Sequence, residues 1–314
     1  MSNFTILSFC GGGIRGLASV TMLNMLYQQF PDIVSGANML AGTSTGGGII
    51  AALTVRQQTP EDLLNFFLIE EANFFSKPVS TVPSQPAYST EHFAIGMRLK
   101  YHEQKLSDIS QYVLFTSFNV GDASTPWAPV LFHNLPNSKN ADTLVADAVV
   151  SSGVMPGMFG SYNGNVDGAF VNHDPTLVAI ALAVNSGISL ADIVVICFGT
   201  GFMQNSLGSA TANWGAQQWQ QGDPKNPYNV PPLLVYGTPS PILNISLSGT
   251  STNLIPTLAA LMLPGRYANL NPVLDQYIPE NDSNFADLEY LMRASKAVDI
   301  TAAVNLVKTY WPAP

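Results

Sequence analysis

Five residues, Gly42-Thr43-Ser44-Thr45-Gly46, limit the folds open to this chain more than any other stretch. A short apolar run, residues 38–41 (Asn-Met-Leu-Ala), leads in, and after Gly47 and Gly48 a helical pattern covers Ile49–Thr54. The reading is a strand that turns sharply into a helix with a serine at the corner. A hydroxyl held there sits at a helix N-terminus, where backbone N–H groups and the helix dipole favour developing negative charge. Gly42 and Gly46 on either flank let neighbouring backbone approach where a Cβ would collide.

A second glycine run lies upstream. Phe4–Phe9 carries no charge and reads as a buried strand, and it runs into Cys10-Gly11-Gly12-Gly13-Ile14-Arg15-Gly16. A helical pattern follows from Leu17 to Phe30, with apolar residues at 17, 20, 23, 26, 27 and 30. Strand, glycine run and helix in that order make an anion-cradling loop. Facing Ser44, its N–H groups would hold the oxyanion of an acyl-transfer intermediate.

A nucleophilic serine needs a base. The chain has four histidines, His92, His102, His133 and His173, and none sits in a glycine-framed turn. Asp167 does, in Val166-Asp167-Gly168-Ala169. A Ser–Asp dyad follows as one arrangement. His173 and Asp174 compete with it from the same loop, and a Ser–His–Asp arrangement through His173 stays open.

The order G-G-G-x-R-G, G-x-S-x-G, D-G-A resembles the patatin-like phospholipases, Ser–Asp lipid acyl hydrolases with an α/β sheet core. Ser151-Ser152-Gly153-Val154-Met155-Pro156-Gly157-Met158-Phe159 is similar to the family's segment ahead of its catalytic Asp, and Ile196-Cys197-Phe198-Gly199-Thr200-Gly201 to its later strand ending in G-T-G. The resemblance spans about residues 4–310. It implies Ser44 as nucleophile, Asp167 as base, and Gly11, Gly12 and Gly13 with Arg15 as the oxyanion region. Arg15 would brace the loop or face a lipid phosphate. Cys10 stands where the family often has Asp.

The fold expected is α/β: a mostly parallel central sheet flanked by helices in an α/β/α sandwich, with a long irregular excursion near 202–250. Residues 1–314 read as a single domain, the motifs lying in a core of about 4–201 and residues 202–314 packing on it. Thr59-Pro60-Glu61-Asp62 opens a helix over 59–75. Val113–Val120 and Ala128–Phe132 read as a hairpin, Asp142–Ser151 and Pro175–Asn185 as helices, and Ile193–Phe198 as a buried strand. Leu233–Ser248 is ambiguous, Thr252–Leu263 is helical by pattern, Tyr267–Leu274 reads as a strand, and Ala286–Ala294 and Thr301–Tyr310 as closing helices. Trp214, Trp219 and the helix at 252–263 are candidates for a lid or membrane-docking face.

Composition narrows the function. A net charge of −9 argues against nucleic-acid binding, which needs clustered Lys and Arg, and leaves any membrane contact to be apolar, local and transient. With 46% hydrophobic and 11% charged residues the chain is a compact enzyme type, not a disordered one. The two cysteines, Cys10 and Cys197, end two buried strands and read as reduced core thiols. Met1–Cys10 lacks a secretory pattern, and no run reaches the ~18–20 apolar residues that span a bilayer. The expectation is a cytoplasmic protein, with signal-independent export left open.

The leading expectation is a phospholipase A or fatty-acyl esterase acting on phospholipid or another fatty-acyl ester. Acyl transfer would use the same dyad, and a non-catalytic lipid- or partner-binding member would share the fold. Gly11-x-Gly13-x-x-Gly16 also satisfies a dinucleotide loop. Against that reading, the second strand ends in Gly42-Thr43-Ser44 instead of an acid for the ribose. No metal spacing is visible and the chemistry requires no cofactor; a protein activator is not legible either way.

Overall fold

The two uncharged runs at 4–9 and 193–198 become neighbouring strands buried along their whole length. The computed structural model describes residues 3–82, 84–204, 206–223, 225 and 240–311. Among them a seven-stranded sheet joins β1 (Phe4–Phe9), β2 (Met39–Thr43), β3 (Tyr112–Asn119), β4 (Ala128–His133), β5 (Asn165–Asp167), β6 (Ile193–Phe198) and β7 (Tyr267–Leu270). The order is β4-β3-β2-β1-β6-β7, with β5 also paired to β3. Neighbours from β3 through β7 are parallel, while β4 and β5 run antiparallel to β3. Phe9 lies opposite Gly42 on one side and Phe198 on the other. The C-terminal ends of three strands are therefore level, and Cys10, Ser44 and Gly199 leave the sheet along one edge. Open α/β sheets bind their ligands at that edge.

Side chains alternate along each strand. Leu7 and Phe9 enter one core with Val194, Ile196 and Phe198; Phe4 and Ile6 enter a second with Ile193 and Val195. Both faces must be covered. The larger core takes α1 (Gly16–Tyr27), α2 (Thr45–Thr54), α3 (Pro60–Asn65), α4 (Ala72–Phe75), α5 (Thr90–Tyr101) and α6 (Val145–Gly153). After the short α7 (Ala169–Asn172), α8 (Thr176–Asn185) covers the second face with Ala179, Ile180 and Ala183. Beyond β6 come α9 (Ala216–Gln221), α10 (Pro241–Asn244) and α11 (Ile255–Met262). The closing α12 (Phe285–Lys296) and α13 (Thr301–Tyr310) return to the larger core, and α12 packs on α1. The result is a mostly parallel sheet between helical layers.

Local chemistry explains the helix starts. Thr59 accepts from the Asp62 amide while Asp62 accepts from Thr59, with Pro60 in the first turn; such a cap is worth about 1 kcal/mol. The expected single helix over 59–75 is instead interrupted by a π-helical stretch at Phe66–Glu71 between α3 and α4. Its wider turn falls where the helix lines a cavity described below. The expected strand over 267–274 stops at Leu270, where the Asn271 side chain turns back to the Gly201 amide and Pro272 follows. Among the described residues of the excursion near 202–250, α9 and a π-helical stretch at Ile245–Leu254, continuous with α10 and α11, are helical. Of the ambiguous segment 233–248, residues 233–239 lie outside the described residues and 241–248 are helical. No described helix is long and apolar enough to cross a membrane.

Candidate active site

Ser44 caps α2 at the end of β2 with φ 56° and ψ −123°, a backbone state that costs a non-glycine residue on the order of 1–3 kcal/mol. Its neighbours hold it there. The Ser44 amide donates to Ser152 Oγ at 2.9 Å. Thr43 Oγ1 lies 2.6 Å from Thr116 Oγ1 and donates to the Asn172 carbonyl at 2.9 Å. The turn closes tightly enough that a Cβ on Gly42 would overlap the Gly46 carbonyl, and one on Gly46 the carbonyl of Phe9.

The Ser44 hydroxyl donates to Asp167 Oδ2 at 2.6 Å, in the range of a charge-assisted O–H···O bond. Asp167 ends β5, opposite Ser117 of β3. Ser117 Oγ fastens that strand by bonds to the Ser151 and Val166 carbonyls at 2.7 and 2.9 Å. The second carboxylate oxygen accepts from the Ala169 amide at 2.8 Å. Asp167 is fully buried, and burial pushes its carboxyl up to about 7 against the opposing bonds from Ser44 and Ala169. An acid poised near neutrality is well matched to taking and returning a proton.

The glycine loop packs against this pair. A Cβ on Gly11 would lie 3.3 Å from Ser44 Cβ. The Gly11 amide is spent on the His173 carbonyl at 3.0 Å, and the Gly11 carbonyl accepts from Thr200 Oγ1 at 2.6 Å. Gly12 and Gly13 have amides without a partner among the described residues, as does Thr45 in the first turn of α2. Glu280 clamps the loop from outside. Its carbonyl accepts the Ile14 amide at 2.8 Å and its carboxylate pairs with Arg15 at 3.1 Å. Gly13, at φ 55°, lies so close to that carbonyl that a Cβ would overlap it. Arg15 therefore braces the loop through Glu280, a residue that no local motif marks.

A cavity of about 310 Å3 opens beside Ser44. Phe66, Phe67, Phe74 and Phe75 wall it from the 60–75 segment, opposite Phe159 and Met97. Glu71 and Lys100 are among the polar groups that interrupt the lining. Burial pushes Glu71 up to about 8, and burial lowers Lys100, whose ammonium sits 4.2 Å above the Phe66 ring.

The remaining sequence candidates fall elsewhere. His173 comes near Ser44 through Gly11, but both Asp167 oxygens are already bonded and its Nδ1 has no partner among the described residues. Burial, then the Arg15 charge, lower the imidazole to about 4. Asp174 turns away, its carboxylate accepting from the Thr176 amide at 2.9 Å and lying near Cys197. Trp214 and Trp219 stack edge to face at 5.2 Å. Neither they nor α11 line the Ser44 cavity. Residues 244–252 instead wall a smaller cavity of about 80 Å3 that shares Met155 and Glu280 with the first. His92 lies in the first turn of α5, His102 follows its end, and His133 ends β4.

The putative sporulation hydrolase CotR of Bacillus subtilis (strain 168) is 28% identical over 287 residues, 88% of this chain and 89% of that one. Protein teg of Priestia megaterium is 28% identical over 323 residues, covering 99% and 100% of the two chains. Patatin-T5 of Solanum tuberosum is 24% identical over 260 residues, covering 68% and 66%. The family model for patatin-like phospholipase matches residues 7–180, more than half of the chain, and the chain belongs to the patatin-like phospholipase family. That membership supports lipid hydrolase activity.

Proposed function

We propose that the protein is a serine-dependent lipid acyl hydrolase of the phospholipase A or fatty-acyl esterase type, working through a Ser44–Asp167 dyad. The observation that carries this reading is the 2.6 Å bond from Ser44 Oγ to a buried carboxylate, beside an apolar cavity that suits an acyl chain. Ser44 Oγ attacks the ester carbonyl as its proton passes to Asp167 Oδ2. The partnerless amides of Gly12, Gly13 and Thr45 receive the oxyanion; one such donor is typically worth ~3 kcal/mol. Collapse expels the alcohol, which takes the proton from Asp167, and leaves an acyl ester on Ser44. Water then attacks that ester, giving its proton to Asp167, and the fatty acid leaves as Ser44 Oγ regains it.

The dyad dispenses with an imidazole because burial has already raised the acid. A carboxylate near its ordinary value would hold a serine proton too weakly. The test is active-site labelling by a fluorophosphonate, with release of fatty acid from mixed phospholipid vesicles followed in parallel. Wild type is expected to be labelled at Ser44 and to release fatty acid; Ser44→Ala is expected to fold, resist labelling and lose turnover by ~10⁴–10⁶. Turnover retained in folded Ser44→Ala would discard the assignment.

A further inference from the structure

The chain has two cysteines, 187 positions apart, and they meet. Cys10 follows β1, Cys197 lies in the adjoining β6, and their sulfurs are 3.7 Å apart in the buried interior. Asp174, buried between α7 and α8, brings Oδ2 to 3.7 Å from Cys197 Sγ. The three donor atoms all lie within 4.8 Å of one another.

We propose that Cys10, Asp174 and Cys197 form a structural site for a zinc-type divalent cation at the root of the glycine loop. The distances support it. Zinc bonds of about 2.3 Å to sulfur and about 2.1 Å to oxygen, set tetrahedrally, separate two sulfurs by about 3.8 Å and a sulfur from an oxygen by about 3.6 Å. Two of the three separations, 3.7 Å each, fit those edges, and the third, Cys10 to Asp174, stays within 4.8 Å. Two thiolates and one carboxylate in a closed pocket select zinc over magnesium or calcium, which want more oxygen ligands. Binding displaces the thiol protons to solvent.

The surroundings are those of an oriented ligand set. Asp174 Oδ1 accepts from the Thr176 amide at 2.9 Å, which leaves Oδ2 for the sulfurs. The Tyr267 hydroxyl on β7 is buried beside Cys197. It supplies the fourth corner, or a water does so from the cavity of about 80 Å3 that Cys10 lines. That cavity is also the entry path. The ion takes no part in ester cleavage. Cys10 precedes Gly11, and Asp174 follows His173, whose carbonyl holds the Gly11 amide. One ion would therefore tie β1, β6 and the loop at 173–174 behind the oxyanion region.

The test does not depend on the hydrolase reading, because it reads metal. The full chain is stripped with a chelator under reducing conditions and reconstituted with zinc, and bound metal is counted by mass spectrometry. Cobalt(II) in its place reports thiolate charge-transfer and tetrahedral ligand-field bands. About one zinc per chain, the cobalt bands and a zinc-dependent rise in Tm are expected in wild type and in Ser44→Ala. Loss of all three is expected in Cys197→Ser and Asp174→Asn. Folded wild type without stoichiometric zinc or thiolate bands would overturn the proposal, leaving a thiol–carboxyl hydrogen-bonded cluster. Full zinc content in either variant would overturn it too, by locating the ion elsewhere. The wild-type arm decides even where a variant fails to fold.

Discussion

Replacing Asp167 with Asn should stabilise the protein while silencing it. The carboxyl is fully buried and stands at about 7 against an ordinary value of 3.8, with burial as the main cause. In the unfolded chain it returns near the ordinary value. Between about pH 4 and 7 the folded state therefore keeps a proton that the unfolded state has released, and stability falls as pH rises. Above about 7 the whole cost is present: about three pH units at 1.36 kcal/mol each, or about 4 kcal/mol. Asn never ionises and escapes this cost. Its carbonyl still accepts from the Ala169 amide, but its NH2 meets the Ser44 hydroxyl where an acceptor stood, which returns about 1 kcal/mol. The expected net gain is about 3 kcal/mol at about pH 8.5, shrinking to nothing or slightly below near pH 4. Urea unfolding of wild type and Asp167→Asn, followed by circular dichroism at both pH values, measures it. Comparing the pair cancels the titration of Glu71, which the two proteins share. A variant less stable than wild type at about pH 8.5, or a difference that ignores pH, would refute the claim that burial raises this acid.

The same ionisation governs turnover. For a soluble fatty-acyl ester, kcat/KM should fall about tenfold per pH unit below about 7 and level off above it, because Asp167 must be ionised to accept the serine proton; a break near 4 would place the base elsewhere. Glu280→Gln removes the charge that pairs with Arg15 but keeps the carbonyl that holds Ile14. It should cost about 1–3 kcal/mol in urea unfolding, through a nearly buried guanidinium left short of its partner, and should lower kcat more than it raises KM; unchanged stability would deny the brace. Gly48 lines the cavity, and a Cβ there meets nothing within 4 Å. Gly48→Leu should therefore fold, raise KM for long acyl chains and spare short ones in a chain-length series.

What the sequence made legible is what one contiguous stretch encodes. The strand–elbow–helix around Ser44 and the strand–glycine–helix from Phe4 are each a single local motif, and both formed, the second with its helix ending at Tyr27 and not at Phe30. The helix start at Thr59-Pro60 was equally plain. The parallel core followed from uncharged, β-branched runs that fit nowhere except between two helical layers. Asp167 was reachable because its Asp-Gly turn ends a short strand in a predictable motif order.

The rest needed chain crossings that no local pattern reports. Glu280 lies 265 positions from its partner Arg15, and nothing in its neighbourhood marks it as the clamp on the glycine loop. The Gly11 amide looked free because the carbonyl that occupies it belongs to His173. Cys10 and Cys197 looked like two unrelated core thiols, since the register that sets β6 beside β1 is a property of the folded sheet. Local rules fail most sharply at the site itself: a serine at φ 56° and a buried acid are each unfavourable alone. They offset one another only in part, through the bond they share, so the elbow must be held by neighbours with no chemical role. Ser152, Thr116 and Ser117 have that task, and each lies on an element that packs against the elbow or β5. This is why the proposed dyad could be read from motifs while the residues that hold its two side chains in place could not.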